Sequence, residues 1–200
     1  MRKEIICVGS GGQGIILGGH ILAEAAGIYD GMDVANSGRY GAAARGGVTV
    51  SEIVISDEEI DYPKVIRADY MICLSQEGYD TYKHVLKKEG ILIADSFYVR
   101  KTEHENTKLV PLSDIVRQKS GREIGTNIAA LGAFTRITGM VSENAIREAV
   151  KKMVPRGTED FNLRILNIGL GNIIHEIEVS NREQDLQEEY ISILESDTQW

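Results

Sequence analysis

A few residues into the chain a short apolar run stops at a glycine turn, and that junction points to one fold class. Glu4-Ile5-Ile6-Cys7-Val8 reads as a buried parallel strand, and Gly9-Ser10-Gly11-Gly12-Gln13-Gly14 then matches G-x-G-x-x-G. Ile15 to Ala26 follows with the apolar spacing of a helix, and Gly27 is a natural place for it to end. A strand, a glycine turn and a helix in that order are the opening of an α/β domain.

The rest of the chain continues the alternation. Met32–Ala35 reads as a second strand, and residues 36–47 as a long shaped loop with four glycines and two arginines. Strands are expected at Val48–Ser56, Tyr70–Leu74, Ile91–Asp95 and Leu109–Leu112, and a helix at Glu77–Lys88 closed by Gly90. Ser113 and Asp114 offer a cap and an acidic first turn for a helix reaching Lys119. The C-terminal part reads as helices at 126–138, closed by Gly139, at 142–153, capped by Ser142 and stopped by Pro155, and at 158–178. This pattern implies a three-layer α/β/α, Rossmann-like domain, its sheet mostly parallel or mixed and its helices on both faces. One domain spanning residues 1–177 is expected, followed by a tail at 178–200.

The charge is uneven. Twenty-two Lys and Arg stand against thirty Asp and Glu, a net of −8, and the last 23 residues hold seven acids and one base. Leu186, Tyr190, Ile193 and Leu194 fall on one helical stripe there, so the tail is either a helix docked on its own domain or a clip onto a partner chain. The acidic balance with no basic cluster argues against nucleic acid and against an anionic membrane surface. No apolar run is long enough to span a bilayer, and the N-terminus lacks the build of a signal peptide, so a cytoplasmic location is expected.

What the glycine turn binds is open on spacing alone. Glycines permit a tight turn and close ligand approach, and a helix N-terminus turns unpaired N–H groups toward an anion. The same glycines also serve a turn that merely packs strand on helix. An NAD site needs an acid at the end of the second strand, where this chain has Asn36 and Ser37, so a free-standing NAD(P)-binding Rossmann oxidoreductase is the alternative reading. Arg39 and Arg45, among Gly41, Gly46 and Gly47, either grip a phosphate or carboxylate beside the turn or tie down their own loop. Asn127 either caps its helix or helps present a second helix N-terminus to an anion. No catalytic set emerges. Cys7 and Cys73 lie inside apolar strands, and the four histidines are scattered without ligand spacing, so no metal site and no iron–sulfur cluster is expected on this chain.

Several stretches together resemble the gamma subunit, or gamma domain, of 2-oxoacid:ferredoxin oxidoreductases. They are Gly9–Ile15, read as a G-x-G-G-Q-G-I signature; Arg39-Tyr40-Gly41 through Arg45-Gly46-Gly47; Ala68-Asp69 before a strand; and Gly90 to Ser96. The resemblance implies a complex that decarboxylates a 2-oxoacid (2-oxoglutarate is the substrate it suggests) with coenzyme A, yielding acyl-CoA, CO2 and reduced ferredoxin. It implies thiamine diphosphate and iron–sulfur clusters on partner subunits, with alpha, beta and delta chains and ferredoxin as partners in a hetero-oligomer. This chain would assemble the complex and face coenzyme A, through Gly9, Gly11, Gly12, Gln13, Gly14, Arg45, Gly46 and Gly47. One departure stands out: Ala42-Ala43-Ala44 occupies the place where many family members carry Pro-Glu.

Overall fold

In the computed structural model, which describes residues 1–39 and 47–171, six strands form one mixed sheet in the order β2-β3-β1-β4-β5-β6. They are β1 (Arg2–Ser10), β2 (Asp33–Arg39), β3 (Val48–Ser56), β4 (Ala68–Cys73), β5 (Leu86–Asp95) and β6 (Thr107–Val110). β1, β4, β5 and β6 run parallel, while β3 lies antiparallel between β1 and β2. Five strands therefore end at one edge of the sheet, where β3 begins.

Six helices cover the sheet unequally: α1 (Ile15–Glu24), α2 (Gln76–Tyr82), α3 (Leu112–Ser120), α4 (Thr126–Thr138), α5 (Glu143–Met153) and α6 (Glu159–Gly171). The period-two alternation of the strands sorts the core into two layers. Ile5, Cys7, Ile53, Ile72 and Ile93 pack under α1, α3, α4, α5 and α6. Ile6, Val8, Met71, Cys73 and Leu92 face the other way and meet Tyr79 of α2 together with Val99. Both cysteines are buried, on opposite faces, and desolvation pushes each thiol up to about 12.

The α4–α6 crossing is the tightest contact in the helical layer. A Cβ added at Gly169 would stand 2.1 Å from the Ala129 carbonyl oxygen, and one at Gly132 would stand 2.5 Å from that of Leu166. Glycine at both positions lets the two backbones touch.

Four local expectations gave way to longer-range contacts. The first helical stretch does not end at Gly27 but runs on as a π turn to Tyr29, because Ala25 and Ala26 are wholly buried and hold it against α5. β2 extends through Asn36-Ser37-Gly38-Arg39, beyond the end expected at Ala35, because β3 supplies its ladder. Residues 86–88 form strand instead of helix, with Leu86 aligned to Ala68 and buried. Ser113 lies inside α3, and its hydroxyl donates to Asp95 instead of capping the helix. Ser142 does cap α5, accepting from the Ala145 N–H at 3.1 Å.

Candidate functional site

The glycine turn emerges at the edge where the parallel strands end, the edge at which α/β sheets place their ligands. Its own side chain fastens it there. Gln13 Oε1 accepts from the Ser10 N–H at 2.6 Å, and Gln13 Nε2 donates to the Leu74 carbonyl at 2.8 Å, tying the turn to the end of β4. The Gly11 N–H donates to the Gly47 carbonyl at 3.2 Å, so the two glycine stretches that lie far apart in sequence meet. Arg45 and Gly46 lie outside the described residues, as does the acidic tail.

Gly14 begins α1 with φ +72°, and no side chain caps that helix. Asn127 Nδ2 donates to the Gly14 carbonyl at 3.1 Å, and a Cβ on Gly14 would lie 2.5 Å from that nitrogen. Only glycine combines that left-handed backbone with that approach. Asn127 stands in the first turn of α4, whose N-cap is Gly125 and which also lacks a side-chain cap. The clamp thus sets the N-terminal ends of two helices side by side, both at the positive end of a helix dipole.

Between them lies a cavity of about 890 Å³. Gly12, Gly14 and Asn127 form its polar end, while Leu17, Val154 and Phe161 supply apolar wall. Arg122 sits on the lining, exposed, and meets no carboxylate among the described residues. The one acid among the described lining residues, Glu123, is engaged: it accepts from the Tyr98 hydroxyl at 2.6 Å and pairs with Arg117. Those two contacts, Tyr98 first, hold its carboxyl below the usual range. Behind the wall, Asp95 is fully buried at the end of β5 and accepts from the N–H groups of Phe97 and Ser113 at 3.3 Å and from the Ser113 hydroxyl. Burial pushes its carboxyl up, against the pull of those donors.

The arrangement is suited to an anionic group at the paired helix ends with a less polar arm beside it. It is a poor fit to NAD. The place next to β1 is taken by the antiparallel β3, and β2, two strand spacings away at about 10 Å, ends at Arg39, which pairs with Glu52 at 2.6 Å. Among the described residues no three His, Cys, Asp or Glu side chains stand together in a way that would hold a metal ion. The sequence pointed to the glycine turn and to Asn127 but missed Tyr98, Arg122, Glu123 and Phe161. The glycine pair Gly121 and Gly125, bracketing a charged Arg122-Glu123 step, is the signal that marked that wall.

The family model for pyruvate ferredoxin/flavodoxin oxidoreductase matches residues 4–171. The 2-oxoglutarate synthase subunit KorC of Methanocaldococcus jannaschii is 43% identical over 173 residues, which span 84% of this chain and 92% of that relative. Among solved structures, the gamma subunit of a keto/oxoacid ferredoxin oxidoreductase from Geobacter sulfurreducens is similar at TM-score 0.76 and 40% identity, covering 85% of this chain and 95% of its own. The pyruvate oxidoreductase subunit PORC of Thermotoga maritima is similar at TM-score 0.70 and 29% identity, covering 84% and 95%.

Proposed function

We propose that the chain, which belongs to the pyruvate ferredoxin/flavodoxin oxidoreductase family, is the gamma subunit of a 2-oxoglutarate:ferredoxin oxidoreductase. The complex would take 2-oxoglutarate, coenzyme A and oxidised ferredoxin to succinyl-CoA, CO2 and reduced ferredoxin. The observation that carries this reading is the likeness to the 2-oxoglutarate synthase subunit, which is 43% identical over 92% of that relative's length.

Within such a complex the chain's share is assembly and contact with coenzyme A. Thiamine diphosphate supplies carbanion chemistry when bound, and we place it, with the iron–sulfur clusters, on the alpha, beta and delta chains. What supports that placement is the side-chain inventory here. Cys7 and Cys73 are buried on opposite faces of the sheet with their thiols held protonated, so they do not converge on a cluster. No helix among the described residues is long and apolar enough to cross a membrane, and we read the complex as cytoplasmic.

The cavity residues suit part of coenzyme A. The N–H groups of Gly12 and Gly14 and that of Asn127, which meet no acceptor among the described residues, would receive a phosphate, and the Asn127 side chain holds the two helix ends in place for it. Leu17, Val154 and Phe161 would shield the carbon chain. The Gly11–Gly47 hydrogen bond supports treating the second glycine stretch, with Arg45 and Gly46, as part of the same site.

Co-expression with candidate alpha, beta and delta chains, followed by CoA-dependent viologen reduction, tests the reading. The complete complex should reduce viologen with 2-oxoglutarate and far more slowly with pyruvate, and leaving out this chain should abolish activity. A complex that assembles and turns over 2-oxoglutarate equally well without it would overturn the proposal.

A further inference from the structure

Between β3 and β4, residues 57–67 cross the edge of the sheet where β1 and β4 begin, opposite the glycine turn. They form neither helix nor strand, yet the backbone is pinned along its length. The Asp57 N–H donates to the Met1 carbonyl at 3.2 Å, and the Glu58 N–H to the Ser56 hydroxyl at 3.0 Å. The Ile60 N–H reaches Asp33, at the start of β2, at 3.0 Å. Arg2 donates to the Lys64 carbonyl at 3.0 Å, and Glu4 accepts from the Ile66 and Arg67 N–H groups. The loop thus runs from β3 over the start of β2 and back across β1 to β4, fixed in shape before anything binds it.

This fixed loop holds apolar side chains out in water. Tyr62 and Ile66 are more than half exposed, and so is Met1, whose carbonyl the loop holds. Its charges are sorted along its length. Glu58, Glu59 and Asp61 fall on the half over β2, Lys64 and Arg67 on the half over β1 and β4, and all five are exposed. The ion pairs made by Glu4 and Asp69 involve none of these five side chains. Three strand spacings, roughly 14 Å, separate β2 from β4, and Tyr62 stands in the sequence between the acidic half and the basic half.

We propose that this edge is a self-complementary docking surface for a second copy of the chain. About a two-fold axis near Tyr62, the acidic half of each loop meets the basic half of the other, and Tyr62, Ile66 and Met1 of both copies close the centre. A strip with both signs fits such a partner better than one of a single sign. The chain's own segment 178–200, with seven acids and one base, would set like charge against Glu58, Glu59 and Asp61. The pairing leaves the glycine-turn edge uncovered on both copies, so it is independent of what binds there.

Sedimentation velocity of the purified full-length chain tests this. A dimer is expected, and a chain that is still monomeric at about 100 µM, where an interface of standard size is populated, overturns the proposal. Tyr62→Asp should raise the dimer Kd by roughly thirtyfold or more, the range of a central anchor residue, with the far-ultraviolet circular dichroism of the parent. A dimer that ignores Tyr62→Asp uses another face, which also overturns the proposal. The two-fold pairing of charges has its own check. E58K/E59K/D61K and K64E/R67E chains should each be monomeric alone, because like charges then face each other, and should combine one to one when mixed. Failure to combine overturns the proposal. If the parent chain is monomeric and Tyr62→Asp instead blocks capture of a co-expressed alpha, beta or delta chain, the edge belongs to that subunit and the second-copy reading falls.

Discussion

The two edges of the sheet are made from the same strands and are finished in opposite ways. At the edge where β1 and β4 begin, the charged groups are matched. Glu4 is buried and accepts from the N–H groups of Ile66 and Arg67 at 2.6 and 2.9 Å and from Arg2 at 3.1 Å. Asp69 accepts from the Glu4 N–H at 3.0 Å and pairs with Lys87 at 2.9 Å and Lys3 at 3.4 Å. At the edge where the strands end, two helices start on glycines without side-chain caps, and Arg122, Arg100 and Lys101 have no carboxylate among the described residues. A closed network is what stability favours, and an open one is what a ligand needs. Changes at the first edge should therefore read out in folding, and changes at the second in affinity.

The hardest blow to the open edge should come from outside it. Gly169→Ala puts a methyl group 2.1 Å from the Ala129 carbonyl and forces α4 and α6 apart. A loss of about 3 kcal/mol in urea unfolding is expected, the upper range for overpacking. The cavity should open with it, since Asn127 rides on α4 and Phe161 on α6. A Gly169→Ala chain with parent stability and parent KM for coenzyme A would show that the crossing does not set the site.

Glu4→Ala tests the closed edge directly. It leaves the Ile66 and Arg67 N–H groups without their acceptor, at a cost of roughly 2 kcal/mol by the usual value of hydrogen bonds to a charged group. Equilibrium unfolding should register that loss, while KM for coenzyme A stays put. A shift in KM with little loss of stability would erase the contrast between the edges.

Acid sharpens the contrast, because half-buried Asp69 and buried Asp95 are shifted in opposite directions. At Asp69 burial pushes the carboxyl up, but Lys87, the Glu4 N–H and Lys3 outweigh it and hold it below the usual range. The stability it contributes is present above the unfolded carboxylate range and is lost as pH falls through the folded value. Asp95 is raised by burial, so its contribution is complete below the unfolded range and is lost as pH rises through the folded value. Urea midpoints followed from about pH 3 to 7 should show a shallower acid loss in Asp69→Asn. In Asp95→Asn the decline on the rising-pH side should shrink. Matching profiles for the two variants would contradict the assignment of signs.

How much of this was legible in the sequence depends on how local the cause is. β1, the glycine turn and α1 could be read because a run of apolar residues, a G-x-G-x-x-G spacing and a helical stripe sit next to one another. α5 could be read from its Ser142 cap. Residues 86–88 could not: Leu86-Lys87-Lys88 is good helix sequence, and it is the alignment of Leu86 with Ala68 of β4, followed by a register shift, that draws it into the strand. Ser113 looked like a cap and is held instead by Asp95, eighteen positions earlier. The glycine half of the candidate site was visible for the same reason as β1. Its other half was not, because Phe161 reaches the cavity through the packing of α6 on α4 at Gly132 and Gly169, and Tyr98 through a turn after β5 and a hydroxyl contact with Glu123, twenty-five positions on.

The smallest effects give the cleanest separation. Lys87 and Arg122 are both cations near an end of the sheet, and they differ in whether a carboxylate answers them. Lys87→Ala removes a pair with Asp69 in which the lysine is 39% exposed, so solvent screening limits the loss to about 0.5 kcal/mol. Arg122→Gln removes no ion pair found among the described residues and should leave the urea midpoint where it is. Affinity should reverse the order. Arg122 lines the cavity, and losing a partly solvated charge near a phosphate should raise KM for coenzyme A by roughly threefold, whereas Lys87→Ala should leave it alone. Measuring midpoint and KM on both variants gives four numbers with a crossed pattern. If Arg122→Gln instead lowers stability as Lys87→Ala does and KM does not move, that guanidinium belongs to the scaffold, and the open edge is narrower than its geometry implies.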